Sequence, residues 1–504
     1  METECREEVL KDETQPIDSE VKEKTYYEFL HAQIYRNTTS ELVEEPKELE
    51  KPDVHLIIFD AVSESQFIRS MPKTRHYLRE YYEAVSFRHL NKVGDNSRPN
   101  GFALLLGKAV DPIKKSPMSV GYKSDFVDTG CDTPLDHDQF VGFQFQEAGY
   151  KTLMSEDWAL GVFNWPYCIG FQEKPPVDHY MRPFQLRVEG KYRTKFLQNN
   201  TYQGVCRPPF TPQMEYLQDF LDKYPDKPKF TLTWMTYATH DSVNGLFPAD
   251  DYFYDFFKKN NAKLNNSYVF VMADHGFRYY PEANTTLGKK EDRNPLLFMS
   301  LPASLRRDKD LMATVRNNAH QLISHYDLYA TLADIVAPHR PQNSSKILLH
   351  GSSVLKPLPQ PRTCDRLRIP FEYCLCENEN VELPDDAAPS REAAALMVQK
   401  MNSVIKKDKH LKGRCATLTL SHAPVALKQF EFGGNFTIYQ VTFQVLPGNG
   451  EFSGYIEQNA NSTDWKLFND HLSRLDIYGE TARCAKKSTF APYCYCKSLF
   501  KKNQ

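Results

Sequence analysis

The sequence predicts an α/β protein: a mostly parallel sheet with helices on both faces, followed by a smaller α+β domain that carries cysteines. Three observations carry this. Four short β-prone runs are almost wholly apolar, as strands buried on both faces are, and each stops at polar, chemistry-bearing residues. Helix-type segments lie between those runs, and the alternation of strand with helix indicates a parallel sheet. Beyond about Leu355 the texture changes to proline breakers and a repeated cysteine pattern.

Residues 1–25 are polar and rich in Glu and read as a disordered acidic arm. A short helix over Tyr26–Tyr35 and a Glu/Lys/Pro linker ending near Pro52 follow, so residues 1–50 precede the folded part. Val54–Phe59 is the first buried strand and ends at Asp60. Lys151–Met154 leads into Ser155-Glu156-Asp157, Phe230–Met235 into a segment reaching His240, and Tyr268–Ala273 into Asp274-His275-Gly276. Gln139–Gly149, Gln213–Tyr224 and Asp251–Lys263 are the intervening helices, and Ala319–Ile335 is an amphipathic helix that covers the sheet. Residues 51–355 thus form the first domain. Pro357, Pro359 and Pro361 mark a joint, and residues 356–504 form the second, with a helix over Arg391–Lys407 and an alternating strand at Phe436–Val445.

The chain has 504 residues, enough for one large domain with a companion. Its 62 Lys+Arg against 65 Asp+Glu give a net charge of -3, so no diffuse positive field exists to hold nucleic acid. The longest apolar stretches are strand-length, short of the ~20 residues of a membrane span, so a soluble chain is expected. Met1–Thr25 has no apolar core of a signal peptide, which by itself points to the cytosol. Against this stand seven Asn-x-Ser/Thr sequons, at Asn37, Asn199, Asn265, Asn284, Asn343, Asn435 and Asn461, and 11 cysteines.

Cys364-x9-Cys374-Leu-Cys376 recurs as Cys484-x9-Cys494-Tyr-Cys496. Three close thiols suit either zinc with a fourth ligand or disulfides. Cys-x-Cys is a poor chelating spacing and no matching histidine is near, so disulfides are favoured, each copy closing a local loop and leaving one sulfur for a distant cysteine such as Cys415. Pairing of this kind implies an oxidising compartment, extracellular or lumenal, and a targeting segment that this chain lacks or has lost. With an odd number of cysteines at least one stays free or pairs between chains, and Cys5 is the expected one.

Two constellations carry chemistry. In Gly94-Asp-Asn-Ser97-Arg98-Pro99-Asn100-Gly101, Pro99 and the apolar run after it start a helix near Ser97. A hydroxyl there faces unpaired backbone N–H groups and the positive end of the helix dipole, a place for an anionic ester, although such a serine is also an ordinary N-cap. Asp274-His275-Gly276, directly after a strand, lets a carboxylate and an imidazole reach one cation, and Asp60 supplies a further carboxylate.

Asp60, Ser97 ten residues before Gly107, and the later Asp274-His275-Gly276 together resemble the alkaline phosphatase/sulfatase superfamily. More narrowly, Gly-Asp-Asn-Ser-Arg-Pro-Asn, Gly149-Tyr-Lys-Thr152, Asp274-His-Gly-Phe-Arg278, Tyr326-Asp-Leu-Tyr-Ala-Thr-Leu332 and the repeated Cys-x-Cys resemble the metazoan family catalogued as domain of unknown function 229. The resemblance implies an alkaline phosphatase-like fold and attack of a metal-bound hydroxyl on a phosphate or sulfate ester. It places Ser97 on the nucleophile and also on the metal, and Asp60, Asp274 and His275 on the metal ligands. His240 and His350 are second candidates, to contact the ester and protonate the leaving group or to complete a second metal site.

Two departures refine the expectation. Sulfatases of that superfamily carry Arg four residues after the modified Cys or Ser, where this chain has Gly101, so an unmodified serine and phosphate monoester or diester chemistry are favoured over sulfate. Two-metal members carry Asp four residues before a His, where Thr236 precedes His240, so one divalent cation (Zn, Ca, Mn or Mg) is expected. The expected partner is a small-molecule, glycan-linked or lipid-linked ester. The rival reading is a secreted or lumenal binding protein that keeps the fold without turnover.

Overall fold

The structure is a computed structural model. It describes all residues except 9–22, 37–50, 117, 128–130, 204–206, 280, 282, 284, 339–346, 377–379, 388, 432–435, 460–464, 469–471 and 503–504. Cys206 and the sequons at Asn37, Asn284, Asn343, Asn435 and Asn461 lie outside the described residues.

The N-terminal expectation is corrected. Residues Glu2–Glu8 (β1) and Glu23–Leu30 (β2) form an antiparallel ribbon in place of disorder at the start of the arm and of a helix from Tyr26, and residues 9–22 of the expected arm lie outside the described residues. Aromatic Tyr27 and Phe29 sit two apart and stack on one face of β2, a period-2 pattern that suits a strand. Glu28, buried on the other face, accepts a hydrogen bond from the Thr194 hydroxyl, and its carbonyl accepts one from Asn200 at 2.7 Å, so β2 is tied to the helix Lys195–Tyr202.

β3 (Asp53–Phe59), β4 (Val85–Ser86) and β5 (Leu90–Asn91) are followed by β6 (Lys151–Glu156), β7 (His179–Tyr180), β8 (Lys229–Met235), β9 (Ser267–Ala273), β10 (Leu297–Ser300) and β11 (Ile323–Ser324). β5 and β11 pair with each other; the other seven form one sheet in the order β4-β10-β9-β3-β8-β6-β7. The five strands from β9 to β7 are parallel, and β10 and β4 extend one edge antiparallel, so the expected mostly parallel sheet is present.

The sheet is buried on both faces by alternation along each central strand. Val54, Leu56 and Ile58 enter one core with Phe102, Phe145 and Leu328, whereas Ile57 and Phe59 enter the other with Leu78, Leu217 and Phe253. Helices therefore cover both faces, as a parallel sheet requires. The covering helix near residue 320 starts later than its sequence pattern suggests, at His325. Ile323-Ser324 is drawn into β11, and the Asp327 carboxylate accepts the Ser324 N–H at 2.8 Å, which starts the helix there.

The C-terminal part is a second, antiparallel sheet. β12 (Asn380–Leu383), β13 (Thr419–Leu420), β14 (Ala426–Glu431), β15 (Phe436–Leu446), β16 (Gly450–Asn459), β17 (Trp465–Leu467) and β18 (Ser473–Arg474) run β12-β14-β15-β16-β17, with β13 on β15 and β18 on β16. The helix Ser390–Lys407 packs Ala394, Met397 and Met401 against Val441, Phe443 and Ile456.

Eight cysteines pair: Cys131–Cys168, Cys364–Cys374, Cys415–Cys494 and Cys484–Cys496. The second copy of the motif closes a local loop and sends Cys494 to Cys415, as expected. The first copy closes Cys364–Cys374 and leaves Cys376 exposed and unbonded, so Cys5 and Cys376 are both free among the described residues.

Candidate active site

Register builds the site. β3 pairs in parallel with β9 so that Phe59 lies opposite Ala273, which puts Asp60 and Asp274 side by side at the carboxyl edge of the sheet. β8 flanks β3 with Met235 opposite Phe59, and the Asp60 N–H donates to the Met235 carbonyl at 2.9 Å. Ligand sites of open parallel sheets lie beyond this edge.

The helix Ser97–Leu105 aims its N-terminus at the same place. Asn96 is its cap, accepting the Arg98 N–H at 3.2 Å, so Ser97 is the first helical residue and its hydroxyl is released from capping. Buried Asn100 accepts from Val93 N at 2.7 Å and donates to the carbonyls of Gly94 and Asn96 at 3.0 and 2.8 Å. These bonds fix the turn that presents Ser97. Gly101 lies against Val162 and Trp234, where even an added Cβ would sit 2.2 Å from a Val162 methyl, so this helix face has no room for the arginine of the sulfatase pattern.

The Ser97 hydroxyl donates to Asp60 Oδ2 at 3.3 Å. Asp60, Asp274 and His275 are all at most 2% exposed and can bring one ligand atom each within 4.8 Å of the others. His275 Nε2 stands 3.6 Å from Asp60 Oδ1 and 3.5 Å from Asp274 Oδ2. The His275 Nδ1–H donates to the Gly276 carbonyl at 2.8 Å, which leaves the Nε2 lone pair facing the carboxylates. Asp274 Oδ1 accepts from the N–H groups of Ala61 and His275 at 3.1 and 2.9 Å. Asp60 Oδ1, Asp274 Oδ2 and His275 Nε2 are buried with no hydrogen-bond partner among the described residues. Three lone pairs facing each other in the dry interior repel, and burial together with Asp274 pushes the Asp60 carboxyl up to about 6. This donor set of carboxylate, imidazole and hydroxyl fits a hard or borderline divalent cation.

A cavity of about 470 Å³ opens on this group, and Ser97, Asp60, Glu156, His240, Arg278 and Tyr478 line it. His240 Nδ1 hydrogen bonds Asp241 at 2.7 Å, and its Nε2 is 3.5 Å from the Tyr279 hydroxyl. Burial pulls the imidazolium down, but the Asp241 hydrogen bond and the Asp60 charge raise its pKa above the ordinary histidine value. Arg278 is buried; it donates to the Tyr279 hydroxyl at 3.0 Å and reaches Asp95 at 3.4 Å.

His350 is not brought here. Its Nε2 pairs with Asp125 at 2.7 Å and its ring packs edge-on to Tyr326, so the position serves the contact beside the helix His325–Val336. His55, inside β3, hydrogen bonds Thr231 at 2.8 Å and is structural. Glu156 lines the cavity, and burial pushes its carboxyl up to about 7. Asp157 faces away and accepts the Thr236 and Tyr237 N–H groups at 2.6 and 3.1 Å, which shapes the turn leading to His240. Tyr478 and Lys486 reach the cavity from the C-terminal part, and nothing in their local sequence marks them.

The architecture with this site defines an α/β protein whose carboxyl-edge residues converge on a buried Asp/Asp/His group beside a serine. Residues 1–423 match the family model described as Protein of unknown function (DUF229), and the chain belongs to that family. No curated protein matches the sequence. Similar solved structures include the C-terminal periplasmic domain of EcEptC from Escherichia coli, at 13% identity and TM-score 0.40, covering 63% of this chain and 89% of that one. Phosphonate monoester hydrolase SpPMH from Silicibacter pomeroyi is similar at 13% identity and TM-score 0.39, with 80% and 88% covered. A protein in the alkaline phosphatase superfamily from Vibrio parahaemolyticus is similar at 12% identity and TM-score 0.36, with 90% and 88% covered.

Proposed function

We propose that the chain is a metal-dependent hydrolase or transferase of phosphate or sulfate esters that uses Ser97 as nucleophile, with phosphate monoesters or diesters favoured over sulfate. The observation that carries this reading is the set of three buried, unpartnered ligand atoms on Asp60, Asp274 and His275, next to the Ser97 hydroxyl. A divalent cation held by these residues would favour ionisation of the hydroxyl and offset charge on the ester. The helix N-terminus at Ser97 and the Arg278 guanidinium attract the anionic ester into the cavity. His240, which lines the same cavity, is the residue to protonate the leaving oxygen. Gly101 in place of an arginine supports the unmodified serine.

The four disulfides support folding in an oxidising compartment, extracellular or lumenal. No helix among the described residues is long and apolar enough to cross a membrane. Of the described sequons Asn199 is exposed, whereas Asn265 is held by Arg306. Elemental analysis of the purified protein, then a panel of phosphate monoester, phosphodiester and sulfate ester substrates, tests the proposal. A stoichiometric divalent cation with turnover on a phosphate ester is expected. A bound cation without turnover on any class identifies a binding protein, and no bound cation overturns the metal site.

A further inference from the structure

A second cavity, of about 410 Å³, lies where the helix Thr286–Arg293 meets the C-terminal sheet. Among its described lining residues, Lys289, Lys290, Arg293 and Lys428 face a single carboxylate, Glu382. That is an inverted balance in a chain of net charge -3. Lys289 and Arg293 are four apart on one helix face, and Lys428 comes from β14. Lys428 pairs with Glu382, and Arg293 donates to the Cys374 carbonyl at 3.2 Å and the Tyr455 hydroxyl at 3.4 Å.

Lys289 differs from its neighbours. It is half-buried, and its ammonium makes no hydrogen bond or ion pair among the described residues, its backbone N–H alone donating to the Thr285 carbonyl at 2.9 Å. Burial, then the charges of Lys428 and Arg293, pull its ammonium down to about 8. Like charges gathered in a partly dehydrated cleft cost free energy until an anion joins them, and cations carried on two separate elements are arranged to surround one.

We propose that this cleft binds a sulfate or phosphate group between Lys289, Arg293 and Lys428, at a site separate from Ser97. A narrow gap of about 70 Å³, lined by Lys289, Arg293 and Arg278 but also by the carboxylates Asp95, Asp292 and Glu372, lies between it and the Ser97 cavity, whose wall Arg278 also forms. The group therefore has two sources: a second anionic substituent on an extended polyanionic chain, or a free anion.

Calorimetric titration of the full chain with inorganic sulfate, inorganic phosphate and a sulfated hexasaccharide, at constant ionic strength, tests this. Chelator-treated protein is titrated in parallel, so that anion binding at the metal group is removed from the readout. Wild type is expected to bind with and without chelator, and Lys289→Met to bind about tenfold more weakly. Without anion, Lys289→Met should melt at or above the wild-type temperature, because it removes a repelled charge. A hexasaccharide bound at least about tenfold tighter than sulfate assigns an extended polyanion, and equal binding assigns a free anion. Equal affinity of wild type and Lys289→Met, or binding that vanishes with chelator, overturns the proposal.

Discussion

Ser97 and Asp60 meet across 3.3 Å, one from the first turn of a helix and the other from the end of the central strand β3. The contact joins two roles in one geometry. Asn96 does the capping, so the serine hydroxyl is spent on a carboxylate whose other oxygen faces Asp274 and His275.

Ser97→Ala is therefore expected to abolish turnover while shifting stability by less than about 1 kcal/mol, whereas Asn96→Ala costs about 1 kcal/mol through the lost cap. Steady-state rates on a phosphate ester and thermal melting check the pair. Wild-type kcat in Ser97→Ala would remove the serine from the mechanism.

Gly276→Ala should weaken the proposed cation site. An added Cβ would lie 1.9 Å from the Glu291 carbonyl oxygen, so the backbone must shift, and the Gly276 carbonyl is what orients His275. Metal content after dialysis is expected to fall below stoichiometric, with a stability loss of roughly 2 kcal/mol or more.

Asp157 imposes a pH dependence on stability. Burial pushes its carboxyl up to about 8, above the unfolded value, so the folded state keeps a proton that the unfolded chain has lost. Stability from this group is then present at low pH and declines as pH rises from about 4 toward 8, by at most ~1.4 kcal/mol per unit. Urea midpoints at several pH values should show this decline in wild type and a shallower one in Asp157→Asn. Identical slopes would show that the carboxyl is not buried as described.

The disulfides should rank by loop length. Cys415–Cys494 spans a separation of 79 residues and Cys364–Cys374 a separation of 10, for loop-entropy contributions of up to about 4.5 and about 2.7 kcal/mol. Cys494→Ser is expected to lower the melting temperature more than Cys374→Ser, with peptide mapping under non-reducing conditions confirming the remaining pairs. The reverse order would mean that native packing, not chain entropy, sets their worth.

Much of the sheet was legible in the sequence because each central strand is apolar on both faces and stops at a polar residue. Val54–Phe59 ending at Asp60 and Tyr268–Ala273 ending at Asp274 are read from local composition alone, and parallel pairing in register brings their ends together. The ribbon was not legible. Tyr26–Leu30 becomes a strand only because Glu2–Glu8 pairs with it, a partner some twenty residues away. His240, after a predicted strand, and His350, in His-Gly-Ser-Ser, are both candidates from sequence, and only packing sends one to the cavity and the other to Asp125.

By itself the sequence determined the α/β class, the carboxyl-edge residues Asp60, Asp274 and His275, the helix start at Ser97 and the preference for disulfides over zinc in the repeated cysteine motif, because these follow from periodicity, breakers and the chemistry of neighbours along the chain. Only the tertiary structure decided that identical Cys-x9-Cys-x-Cys copies bond differently, that Asn96 and not Ser97 is the cap, and that Lys289 on a helix faces Lys428 on a distant strand. Those outcomes depend on which surfaces touch. Contact between residues more than a hundred positions apart is set by the packing of whole elements, and no local pattern encodes it.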